Sequence, residues 1–129
     1  MKTAMIDFPN WRQKQQILFT GKGTREARLK VARDLVDREM CAEAIDYLEV
    51  EPDPELLRRL LERSLETGDA YLYRRSVALL GQKPTLEEWG RVAERAASLG
   101  KEAFARMARA EFKNLETRRQ ASGPTAGPP

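Results

Sequence analysis

The sequence contains no histidine and a single cysteine, Cys41. It therefore lacks the side chain best suited to proton transfer near neutral pH, which is also the commonest metal ligand. One cysteine cannot build a disulfide framework or a thiolate cluster. Carboxylates are numerous, but they fall on predicted outer helix faces mixed with arginine, which is more typical of a solvated, salt-bridging surface than of a catalytic pair. We therefore expect no catalytic activity, no cofactor and no metal site.

Long apolar runs are also missing. No segment approaches the roughly 18 to 20 consecutive apolar residues that a membrane span requires, and the amino terminus does not resemble a signal peptide. Together with the single cysteine, this predicts a soluble cytoplasmic protein without a membrane contact.

The excess of positive charge is small, because 23 basic residues oppose 20 acidic ones and the formal net charge is +3. Its distribution is uneven, since the stretch 43–55 contains carboxylates and no cation. That stretch is either a solvated helix end and loop or an acidic docking surface.

Apolar residues recur three and four positions apart almost throughout, which predicts an all-α protein. The clearest case is residues 55–66, where leucines form one stripe and charged residues form the opposite face. We predict one domain over residues 1–118 with about seven helices: an amino-terminal helix at 10–20 and helical hairpins at about 24–50, 53–81 and 85–117. Residues 119–129 are predicted to form a flexible tail rich in glycine and proline.

Local signals mark where these helices begin and end. Asp53 can cap a helix that has Pro54 at its first position, and Gly68 and Gly81 are predicted helix stops. Thr85 can cap the following helix, and Glu88 can reach back to it, which is the pattern of a capping box.

The hairpins recur at roughly thirty residues, and Leu61-Glu62-Arg63 precedes Gly68 as Ala93-Glu94-Arg95 precedes Gly100. The pattern Trp89-x-x-Val92-Ala93-x-x-Ala96, followed by Gly100 and Ala105, resembles the tetratricopeptide-like superfamily over about residues 24–115. The resemblance implies antiparallel hairpins stacked as a short right-handed α-solenoid. It also implies a concave face that holds a peptide or a partner protein.

Two functions remain open from the sequence. The first is an adaptor or scaffold that binds a partner protein or peptide through charged helix faces, with Arg58 and Glu62 as candidate contacts. The second is a nucleic-acid accessory protein that uses arginine-rich helix faces with neighbouring tyrosines, with these candidate residues: Tyr71, Tyr73, Arg74, Arg75, Arg106 and Arg109. Alternatively, Tyr71 or Tyr73 fills a gap between hairpins and the arginines pair with nearby carboxylates.

The amino-terminal region, residues 5–19, is more apolar than one capping helix requires. It either seals the first hairpin or docks on a partner or a second copy of the chain. We therefore expect a monomer or a homodimer.

Overall fold

The structure, a computed structural model, describes residues 25–121. Within them it contains six α-helices and no strand, which confirms the all-α prediction. In chain order they are α1 (Arg25–Asp37), α2 (Cys41–Val50), α3 (Pro54–Thr67), α4 (Ala70–Leu79), α5 (Leu86–Ser98) and α6 (Glu102–Ala121). The predicted helix at 10–20 lies outside the described residues.

The last helix is longer than predicted. We expected it to end near Thr117 and the tail to begin at residue 119, but α6 continues to Ala121. Arg118 and Arg119 lie in its last turn, where cations interact favourably with the negative end of the helix dipole. The first glycine and proline beyond this helix, Gly123 and Pro124, come too late to end it earlier.

Side-chain caps begin three of the helices. Asp53 accepts a hydrogen bond from the backbone N–H of Leu56 at 3.0 Å, as predicted, and Asp69 caps α4 in the same way. Thr85 caps α5 by accepting from the backbone N–H of Glu88 at 3.1 Å. Each cap satisfies a helical N–H that has no partner inside its own helix.

The second half of the predicted capping box is wrong. The Glu88 carboxylate does not bond the backbone N–H of Thr85, because the Tyr73 hydroxyl lies between them. That hydroxyl donates to Glu88 at 2.6 Å and accepts from the N–H of Thr85 at 3.1 Å. A tertiary contact from α4 thus replaces the local one.

The contacts divide the described residues into two compact units on either side of the boundary between residues 59 and 60. In the first unit α1 packs against α2, and the buried residues of both helices recur three and four positions apart. Tyr47 is buried with them, although no apolar stripe in the sequence marked it. The prediction of one domain over residues 1–118 stays a prediction.

In the second unit one core joins the end of α3 to α4, α5 and α6. Its buried residues are Leu61, Leu65, Ala70, Tyr73, Val77, Trp89, Val92, Ala93 and Ala108. The apolar stripe of α6 is half-buried and packs against this core through Phe104, Met107, Phe112 and Leu115. The apolar residues that α5 and α6 carry three and four positions apart therefore form the faces that pack into this core.

Candidate partner-binding site

A depression of about 450 Å³ lies between the end of α3 and one face of α5, within the second unit. It is lined by Leu65, Glu66, Arg91, Glu94, Arg95 and Ser98. The four residues of α5 share one face because they are spaced three and four apart. Leu65 is the buried apolar residue of the set, and charged side chains of both signs surround it.

One wall of the depression is fixed by hydrogen bonds to the end of α3. The Nε of Arg95 donates to the backbone carbonyl of Glu66, and the Nζ of Lys101 donates to that of Thr67, each at 2.7 Å. Carbonyls at a helix end lack partners inside the helix and carry the negative end of its dipole, so two cations stabilise them. This bond places the Arg95 guanidinium beside the depression.

The other charges of the depression differ in their partners. Glu66 pairs with Arg63 on the same helix at 3.0 Å. Arg91 and Glu94, in contrast, have no ion-pair partner among the described residues. Both are exposed, so an incoming ligand would meet them without first breaking an internal pair.

The predicted contacts Arg58 and Glu62 are both exposed on α3. Glu62 lies one helical turn before Glu66, which lines the depression. Arg58 belongs to the first unit and Glu62 to the second. Neither residue lines the depression itself.

The two predicted tyrosines have different environments. Tyr73 is fully buried and packs edge-on against Trp89 with ring centroids 4.6 Å apart, so its assignment to a binding surface is wrong. Burial, together with its hydrogen bond to Glu88, raises the pKa of Tyr73 above its usual range. Tyr71 is 52% exposed, and the Arg75 guanidinium lies 5.6 Å from its ring centroid, within cation–π range.

The predicted arginine Arg74 of α4 contacts one side of α6, whereas the predicted arginines of α6 itself lie on another side. Arg74 forms a loose ion pair with Glu111 of α6 at 3.8 Å. Glu111 and Arg109 are two positions apart, which separates them by about 200° around the helix. Arg106 and Arg109, both exposed, therefore face away from the flank that Arg74 contacts. The structure does not combine the two arginine groups into one surface.

In the first unit, the acidic stretch 43–55 is partly engaged by arginines of α1. Glu51 accepts hydrogen bonds from Arg28 at 2.9 Å and from Arg25 at 3.0 Å. These bonds hold the pKa of Glu51 below its usual value, and the bond from Arg28 has the largest effect. Glu51 is thus engaged in ion pairs with α1 inside the first unit.

Comparison with protein-family models, curated proteins and solved structures gave no match. Across residues 25–121 no group of three or more His, Cys, Asp or Glu side chains is arranged to hold a metal ion. In the same part of the chain, no helix combines the length and apolar character that crossing a membrane requires.

Sequence reasoning missed the depression. The carboxyl-terminal part of the sequence contains many arginines, and no local pattern separates Arg91 and Arg95 from the others. The repeated Glu-Arg pair before Gly68 and Gly100 was the available signal, because it places Arg95 at the same distance from a helix end as Arg63. The sequence could not show that Arg95 reaches the previous hairpin.

Proposed function

We propose that this chain is a non-catalytic interaction module that binds a segment of a partner protein in the depression between α3 and α5. The observation that supports it best is the combination of a buried apolar side chain, Leu65, with exposed Arg91 and Glu94, which have no ion-pair partner within residues 25–121. Interfaces of this kind combine a desolvated apolar centre with a polar rim that fixes the orientation of the ligand.

The hydrogen bonds at one wall of the depression support the proposal further. Arg95 and Lys101 bind the end of α3 to the α5–α6 hairpin, so this wall is formed by contacts within the chain before a ligand arrives. Ordering a surface on binding costs affinity, and a preformed site avoids that cost.

The test is affinity purification with the full chain from its native cell, followed by calorimetry with each purified partner. Arg91→Glu reverses a charge inside the depression, and Lys83→Glu reverses one in the exposed connection between α4 and α5. We expect the first variant to lose at least about tenfold in affinity and the second to bind as wild type. Equal binding by both variants would show that the depression is not the contact surface.

A nucleic-acid function is the second candidate, and the exposed Tyr71 beside Arg75 is the observation that favours it. An exposed aromatic ring next to a cation can stack on a base while the cation contacts a phosphate. Binding of a fluorescent single-stranded RNA at increasing salt tests this function. Affinity that falls steeply with salt and is reduced in Tyr71→Ala would support it, whereas salt-independent binding would reject it.

A further inference from the structure

The carboxyl-terminal ends of α3 and α5 are built alike. The pair Glu62-Arg63 stands before Gly68 as Glu94-Arg95 stands before Gly100. Both glycines have a positive φ, 72° and 76°, the left-handed conformation that commonly ends a helix. The residue after each glycine donates a backbone hydrogen bond to the carbonyl five positions earlier, from Asp69 at 3.1 Å and from Lys101 at 2.8 Å.

The end of α3 is covered by α5. A Cβ atom placed on Gly68 would lie 2.4 Å from the backbone nitrogen of Ala96, so the two backbones are in direct contact. The carbonyls of Glu66 and Thr67 next to this contact receive the cationic side chains of Arg95 and Lys101. A small residue and two cations thus complete this helix end.

The end of α5 has no such cover among the described residues. A Cβ atom on Gly100 would meet nothing within 4 Å. The carbonyls of Ser98 and Leu99, at the positions equivalent to Glu66 and Thr67, accept no hydrogen bond from the described part of the chain. Leu99, between Ser98 and Gly100, is 48% exposed.

We propose that this end of α5, defined by Ser98, Leu99 and Gly100, binds a helix of a partner protein that carries an arginine directly followed by a small residue. We infer the chemistry of this partner helix from the residues that cover the equivalent end of α3. The small residue permits close approach to Gly100, as Ala96 does at Gly68, and the cation donates to the open carbonyls at the negative end of the helix dipole. An apolar side chain of the same helix covers Leu99. This surface adjoins the depression at Ser98 but does not depend on the function proposed for it.

The probe is a peptide of residues 84–101, which carries Arg95, Ala96 and Lys101 in the order that covers α3. A lactam bridge between Glu94 and a lysine introduced by Gly90→Lys, on the face away from Arg95 and Ala96, keeps it helical, as circular dichroism verifies. It is titrated to about 1 mM into the ¹⁵N-labelled full chain, a range that detects weak binding. We expect amide shifts at residues 98–101, and about tenfold weaker binding by a probe with Arg95→Ala and Lys101→Ala.

Two glycine variants of the full chain supply the matched control. Gly100 and Gly81 both have a positive φ and open space, so alanine introduces similar backbone strain at each. Gly100→Ala should abolish probe binding because the new Cβ occupies the position that the probe backbone needs, whereas Gly81→Ala should bind as wild type. Arg91→Glu should also bind normally, which separates this surface from the depression.

Three results would overturn the proposal. The first is the absence of shifts at residues 98–101 with a helical probe. The second is equal binding by wild type and Gly100→Ala. The third is a set of shifts centred on Gly68, which would mean that the peptide replaces the chain's own α5 instead of binding the end of that helix.

Discussion

The hydroxyl of Tyr73 donates a 2.6 Å hydrogen bond to the carboxylate of Glu88. The same oxygen accepts the backbone N–H of Thr85 at 3.1 Å. One buried side chain of α4 thus completes the amino-terminal cap of α5, which a carboxylate usually completes by itself. The start of α5 therefore depends on a residue twelve positions earlier in the chain.

Tyr73→Phe should lower the free energy of unfolding by about 2 kcal/mol. The change removes a hydrogen bond to a charged group and leaves the N–H of Thr85 without an acceptor, while the ring still packs on Trp89. Urea denaturation followed by circular dichroism measures the effect. Tyr71→Phe is the control, since the exposed Tyr71 hydroxyl makes no hydrogen bond to the described part of the chain and its variant should unfold as wild type.

A double-mutant cycle separates the hydrogen bond from general loss of packing. If Tyr73 and Glu88 act together, the combination of Tyr73→Phe and Glu88→Gln should cost clearly less than the sum of the two single changes. Additive costs would mean that the hydroxyl and the carboxylate contribute independently.

Alkaline pH should destabilise the first unit through Tyr47. Burial, with smaller contributions from the Glu43 and Asp46 carboxylates, raises the pKa of Tyr47 to about 12, against about 10 in an unfolded chain. Between pH 10 and 12 the unfolded chain loses this proton while the folded chain keeps it, so the unfolded state is favoured as pH rises. Below pH 10 the phenol is protonated in both states and has no effect on the pH dependence.

The ionisation of Tyr47 should lower the free energy of unfolding by about 1.4 kcal/mol between pH 9 and pH 11. Tyr47→Phe lacks the titrating group, so its stability should fall by that much less over the same interval. Urea unfolding of both proteins at the two pH values measures the difference. Identical pH dependence in the two proteins would show that Tyr47 is not responsible.

The helices could be predicted because their signals are local. Asp53 and Thr85 cap helices through atoms three residues away, and the leucine stripe of α3 needs only helical spacing. The candidate site depends on contacts between distant residues. Tyr71 and Tyr73 are two positions apart and look alike in the sequence, yet only the position of α5 decides that Tyr73 is buried and Tyr71 exposed.

Glu39→Gly should stabilise the protein by about 1 kcal/mol. Glu39 follows α1 with a φ of 61°, the left-handed region that costs side-chain-bearing residues energy and that glycine adopts freely. The other described helix ends of this type carry Gly68, Gly81 and Gly100. Thermal unfolding measures the gain. Glu39→Ala removes the same carboxylate but keeps the strain, so an equal gain in that variant would contradict the backbone explanation.

Gly68→Ala should destabilise the protein far more than Gly81→Ala. Both glycines have a φ of 72°, so alanine at either position costs about 1 to 2 kcal/mol of backbone strain. At Gly81 the new Cβ meets nothing within 4 Å, but at Gly68 it would lie 2.4 Å from the nitrogen and 2.6 Å from the Cα of Ala96. The end of α3 must then move away from α5, at a further cost of about 2 kcal/mol or more. Urea denaturation of both variants provides the comparison.

Ala96→Gly should not rescue Gly68→Ala, because the atoms nearest to the new Cβ belong to the backbone of Ala96. Rescue, or equal destabilisation at the two glycines, would show that α5 does not approach α3 as closely as the structure places it.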